Sequence, residues 1–143
     1  MKLAIASDHA GYELKEKIKK HLSALGHEME DFGTNSTEST DYPDYVHPLA
    51  SSIEAGKNVL GILICGSGNG VCMTANHHEG VRAALAWNSE VSALARQHNN
   101  ANVLCLPSRY ISDDEAYAIT EAYLNAEFEG GRHERRVEKI HQA

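Results

Sequence analysis

Short apolar runs alternate along the chain with longer amphipathic stretches. Lys2–Ser7 is an apolar, strand-compatible run. Gly11–Leu25 follows at helical spacing, with Leu14, Ile18, Leu22 and Leu25 on one face before Gly26 ends it. Glu28–Phe32 is a weaker, more polar strand, as suits a place near a sheet edge. Pro43–Gly56 carries Val46, Leu49, Ala50 and Ile53 at helical spacing, with Pro43 tolerated in the first turn. Val59–Ile64 is continuously apolar, the pattern of a central parallel strand covered on both faces. A helix should start inside the glycine loop that follows and run to about Asn76. Val81–Trp87 reads as a fourth strand, and Ser89–Gln97 as a helix stopped by His98-Asn99-Asn100. Asn102–Leu106 is a fifth strand. Ser112–Asn125 is a helix with Ser112 as N-cap and Ala116, Ile119, Ala122 and Tyr123 facing inward. Glu129-Gly130-Gly131 breaks the chain before a charged terminal helix, Arg132–His141.

Strands alternating with helices imply parallel βαβ units. The expected architecture is an α/β fold: a Rossmann-like three-layer α/β/α sandwich with a five-stranded parallel sheet and an extra C-terminal helix. One domain should span residues 1–143. Ligands in such folds sit at the carboxyl ends of the strands. Chemistry is therefore expected at Asp8-His9, Gly33–Tyr42, Cys65–Gly70, Trp87-Asn88 and Pro107–Tyr110.

Bulk properties narrow the classes. A net charge of -7 argues against nucleic acid as partner, although local arginines can still hold a small anion. No apolar run is long enough to span a bilayer, and Met1 leads straight into a strand without a secretory leader pattern. The three cysteines contain no C-x-x-C pair, which reads as reduced thiols in a cytoplasmic protein. Nine histidines are scattered without H-x-x-x-H spacing, so no catalytic metal is expected.

The strongest local signal is Cys65-Gly66-Ser67-Gly68-Asn69-Gly70. Three glycines let backbone N–H groups approach an anion, and the following helix adds positive potential there. The spacing matches neither a Walker loop nor a dinucleotide fingerprint, so a nucleotide is not specified. The same loop would also serve as a plain strand-to-helix turn. Cys65 ends the strand, where dipole and amides favour its thiolate and suit it as a base; it could equally be a small buried hydrophobe. Cys72 and Cys105 read as buried structural residues. Asp8 is a natural N-cap, and His9 beside it could bind a phosphate or hydroxyl. Arg132 and Arg136 share one helix face, which suits a phosphate dianion or merely a solvated surface. His98, at a helix end, could act as a general acid or base.

Together these segments resemble the ribose-5-phosphate isomerase type B family, which includes subunits of galactose-6-phosphate isomerase. The resemblance rests on five motifs in order: Ala6–Gly11, Thr40–Pro43, Gly61–Gly70, Arg96–Leu104 and Glu129–His133. It covers nearly the whole chain and implies a metal-free, cofactor-free aldose–ketose isomerase acting on a sugar phosphate. By that resemblance Cys65 shuttles the proton, in place of the loop glutamate another branch uses. Gly66, Ser67, Gly68, Asn69 and Gly70 form the anion hole for the enediolate. Ser67 and His98 help open the furanose ring, with Asp8 assisting. His9, Arg132 and Arg136 clamp the phosphate, with Arg109 a further candidate, and Tyr42 and Asn99 line the sugar. The resemblance implies a homodimer, or a dimer of dimers, whose sites are shared, His98 and Arg109 coming from the partner subunit. Other readings are an isomerase of allose or galactose 6-phosphate, and a non-catalytic phosphosugar-binding module.

Overall fold

A computed structural model describes residues 1–142. Five strands form one parallel sheet: β1 (Lys2–Ser7), β2 (Glu28–Asp31), β3 (Leu60–Cys65), β4 (Ala83–Leu85) and β5 (Val103–Pro107), in the order β2-β1-β3-β5-β4. The helices are α1 (Tyr12–Ala24), α2 (Pro43–Glu54), α3 (Asn69–Asn76), α4 (Ser89–Asn99), α5 (Asp113–Asn125) and α6 (Arg132–Glu138). The α/β/α sandwich expected from the alternation is present.

Chain direction explains which layer each helix joins. A right-handed crossover places its helix on one face when the chain steps toward β2, and on the other when it steps toward β4. α1 and α4 make the first kind of step and, with α5, pack Leu14, Ile18, Ala95, Ile119 and Tyr123 against Ile5, Ile62 and Leu104. α2 and α3 make the second kind and pack Leu49, Ile53, Val71 and Ala75 against Ala4, Leu63 and Val103. Alternate residues of β3 thus enter opposite cores, and every residue from Leu60 to Cys65 is buried.

Several local readings need correction. β4 covers Ala83–Leu85 rather than Val81–Trp87, because it is an edge strand and the Asn102 side chain, not a strand carbonyl, takes the Arg82 amide at 2.8 Å. Asp8 caps a short 3-10 turn at His9–Gly11; α1 starts from Gly11 with no side-chain cap. Leu25 lies beyond α1 and is 52% exposed instead of facing the core. Ala122 is only half-buried, whereas Ala116, Ile119 and Tyr123 are fully inside. The terminal helix ends at Glu138 and tightens into a 3-10 turn over Lys139–His141. Ser112 caps α5 as expected, in a reciprocal capping box with Glu115.

Candidate active site

β1 and β3 are neighbours whose following segments diverge, α1 to one face and α3 to the other. The crevice between them is the switch point of the sheet, where parallel α/β folds bind ligands. A cavity of about 340 Å³ opens there, lined by Asp8, His9, Ala10, Tyr42, Cys65, Gly66, Ser67, Gly70, Arg109 and Tyr110.

Cys65 is the last residue of β3 and is buried. Its Sγ accepts the Gly68 amide at 3.1 Å. That bond depends on the left-handed conformation of Gly68, φ 77°, which turns the chain from β3 into α3. The Asn69 amide is used within the loop, bonding Ser67 Oγ at 3.3 Å. The amides of Ser67 and Gly70 find no acceptor in the chain among the described residues, and both residues line the cavity. They are the orphan donors of a helix start, free to meet an anion. Gly70 also permits close approach by Tyr42: a β-carbon there would stand 2.6 Å from the tyrosine ring.

Asp8 Oδ1 accepts the Ala10 and Gly11 amides at 2.9 and 3.1 Å, which fixes the carboxylate at the cavity wall. The Thr40 amide donates to His9 Nδ1 at 3.1 Å. A neutral His9 therefore carries its proton on Nε2, where it can donate to an anionic ligand. Thr40 belongs to the loop after β2. That loop is anchored by paired bonds, Ser7 amide to Gly33 carbonyl and Thr34 amide to Ser7 carbonyl, both 2.8 Å. Asp31 fixes the same loop by accepting the Gly33 amide at 2.8 Å and the buried Lys15 ammonium at 2.6 Å. Burial alone would push the Asp31 carboxyl up; the hydrogen bonds from Lys15, Lys19 and the Gly33 amide outweigh it and hold it below its ordinary value.

Arg109 follows β5. The Ser108 amide bonds the Cys65 carbonyl at 2.9 Å and the Arg109 amide bonds the Gly66 carbonyl at 3.0 Å. These bonds lay Arg109 over the glycine loop of its own chain, so no partner is needed to deliver it; the expectation that it crosses from another subunit is corrected. Tyr110, within the Pro107–Tyr110 segment expected to carry chemistry, also lines the cavity, as does Ala10, which has no predicted role. The signal for Ala10 is position, since it directly follows His9.

His98, Asn99, Arg132 and Arg136 do not line this cavity. His98 and Asn99 end α4, and the arginines are exposed on α6. Asn99 lines a separate hollow of about 450 Å³ with Asn76, Arg82, Ile140 and His141. Cys105 is fully buried as expected, but Cys72 is only half-buried. The lack of H-x-x-x-H spacing concealed one cluster: His98, Glu129 and His133 place their ligand atoms within 4.8 Å of one another.

The fold and this crevice define a parallel α/β protein that gathers free loop amides, a histidine and an arginine around a thiol at the switch point of its sheet. A family model described as Ribose/Galactose Isomerase matches residues 3–140. The chain belongs to that family. It is 44% identical to ribose-5-phosphate isomerase B of Escherichia coli K12, over 97% of this chain and 93% of the relative. A ribose 5-phosphate isomerase structure from Thermotoga maritima superposes with a TM-score of 0.97 at 50% identity, covering 99% of this chain and 98% of the other. Ribose-5-phosphate isomerase B from Mycoplasma genitalium, solved with bound ribulose-5-phosphate, superposes with a TM-score of 0.94 at 48% identity, covering 99% and 94%. No helix among the described residues is long and apolar enough to cross a membrane.

Proposed function

We propose that this chain interconverts ribose 5-phosphate and ribulose 5-phosphate by proton transfer through an enediolate, with no metal or cofactor. The observation that carries the reading is the placement of the Cys65 thiol beside unpaired loop amides in one crevice with Asp8, His9 and Arg109. Aldose–ketose isomerisation needs a base that moves a proton between C2 and C1, donors for the oxygen that becomes negative, and a hold on the phosphate. Cys65 is the base. The Ser67 and Gly70 amides receive the enediolate oxygen; losing one such donor typically costs about 3–4 kcal/mol of transition-state stabilisation. Gly66, Gly68 and Asn69 shape the loop that aims them. Asp8 accepts from the sugar hydroxyls, Tyr42 lines the sugar, and His9 and Arg109 hold the phosphate from this chain.

Of the fourteen assigned residues, eight line the crevice and Gly68 and Asn69 belong to its loop. We assign the remaining four to a second copy, which brings His98 for ring opening with Ser67, Asn99 to the sugar, and Arg132 and Arg136 to the phosphate. A two-fold dimer then builds two equal sites, and pairing of such dimers would leave the sites intact. The separation of α4 and α6 groups from the Cys65 cavity supports this division.

Steady-state kinetics on pure protein with ribose 5-phosphate and allose 6-phosphate test the reading. The pentose phosphate should give the higher kcat/KM. Preference for the hexose phosphate would move the substrate up one carbon, and binding without turnover of either would leave a phosphosugar-binding module.

A further inference from the structure

Outside the crevice, the described residues bring two imidazoles and a carboxylate together where α4 ends and α6 begins. The His98 and His133 rings stack with centroids 4.1 Å apart and an interplanar angle of 9°. Each Nε2 lies 3.7 Å from the same Glu129 oxygen. That is beyond a hydrogen bond, whose N···O distance is about 2.7–3.2 Å. The three groups are therefore gathered without being bonded to one another. The backbone does the gathering: the Glu129 amide donates to the Gln97 carbonyl at 3.0 Å, pinning this stretch beside the end of α4. Glu129 and His133 are four residues apart, with His133 in the first turn of α6.

We propose that His98, Glu129 and His133 form a binding site for zinc or a similar divalent transition-metal ion, and that its occupancy switches the isomerase off by withdrawing His98. The second half rests on the assignment of His98 to ring opening. Two imidazoles and one carboxylate are a three-ligand zinc set, leaving a fourth position for water. Ligands about 2.0–2.2 Å from a tetrahedral zinc stand about 3.3–3.5 Å from each other; the two 3.7 Å N···O spacings close by a few tenths of an ångström, and the two ring nitrogens, within 4.8 Å of each other, must draw together further as the rings turn. Both rings tilt out of their stack so that their lone pairs converge on the ion. Arg132 and Arg136 oppose a cation here, and Glu129 offsets them; the balance favours a modest, reversible affinity. Metal is thus an inhibitor of this site and not a participant in turnover.

Isothermal titration of the metal-free full-length chain with Zn²⁺ tests the site, and activity measured on the same samples tests the switch. One ion should bind per chain. Glu129→Gln and His133→Ala should each weaken binding at least about tenfold, the lower limit even for outer-shell partners of a metal. Glu129 is half-exposed, so its conservative replacement removes the charge without disturbing packing. Cys65→Ser should leave the affinity unchanged, since the thiol is not a ligand. Zn²⁺ should inhibit wild type in proportion to occupancy, and a chelator should restore turnover. Unchanged affinity in the Glu129 and His133 variants, or loss of binding in Cys65→Ser, overturns the site. Full occupancy with undiminished turnover overturns the switch. Turnover of the metal-free protein separately judges the isomerase reading, so the two fail independently.

Discussion

The Gly68 amide donates a hydrogen bond to Cys65 Sγ at 3.1 Å. It joins the end of the fully buried central strand β3 to the start of α3, and aims one backbone dipole at the one sulfur that lines the crevice among the described residues. As a thiolate, a sulfur so placed can take a carbon-bound proton to become the thiol while the free amides beside it receive the negative charge left on the substrate oxygen.

Replacing Cys65 by Ala should therefore reduce kcat by about 10²–10⁴, the usual contribution of a positioned acid or base. Affinity for a competitive sugar-phosphate inhibitor should change little, because phosphate binding is assigned to His9 and the arginines. Turnover and inhibition constants measured together separate the two. Turnover within tenfold of wild type would make Cys65 a packing residue.

Gly68→Ala should harm both stability and rate. The position has φ 77°, and a β-carbon there would stand 2.5 Å from Leu85 Cδ1 and 3.2 Å from the Leu106 carbonyl carbon. Strain of this kind costs about 1–3 kcal/mol. Urea unfolding should show that loss in the midpoint, and kcat should fall as the Cys65 sulfur loses its amide. A variant as stable and as fast as wild type would mean that the turn conformation is not needed.

Asp31→Asn should cost about 3–5 kcal/mol at pH 7, because it leaves the Lys15 ammonium, 0% exposed, without its main counter-charge. The Asp31 carboxyl is held below its ordinary value by Lys15, Lys19 and Gly33 against the opposing effect of burial. A depressed carboxyl stabilises the fold above its unfolded value of about 3.9 and loses that contribution as pH falls through its folded value. Denaturation followed from pH 7 to pH 2 should thus show a steep acid loss in wild type and a shallower one in the variant. Parallel curves would assign the acid limb to other groups.

Exhaustive chelation should not lower turnover of the purified enzyme, since the base, the anion donors and the phosphate hold are assigned to side chains and amides of the protein. A large loss restored by adding metal back would contradict this mechanism.

Much of the fold was legible because apolar spacing is a local property. The unbroken apolar run VLGILI marks a central strand; the observed β3 lies one residue later, at Leu60–Cys65, with Val59 exposed, which makes Cys65 its carboxyl end. The glycine loop and Asp8-His9 were found by the same reasoning. β4 was overread because edge pairing depends on Asn102, twenty residues away along the chain. Arg109 was legible as a residue after a strand, but its place over Gly66 depends on bonds between the β3 and β5 loops. The His98–Glu129–His133 cluster showed only its Glu129/His133 spacing; the third member comes from α4 through tertiary contact. Division of the site between two copies has no local signature at all.

That division is the centre of the account, and subunit mixing tests it most directly. Cys65→Ala and His98→Ala chains, each inactive alone, are mixed in equal amounts, exchanged by mild denaturation and refolding, and assayed. Random pairing makes about half of the dimers mixed, and each mixed dimer holds one intact and one doubly damaged site. Activity should recover to about a quarter of wild type. No recovery, with mixed dimers confirmed by mass, would mean that each chain builds its site from its own Cys65 and His98.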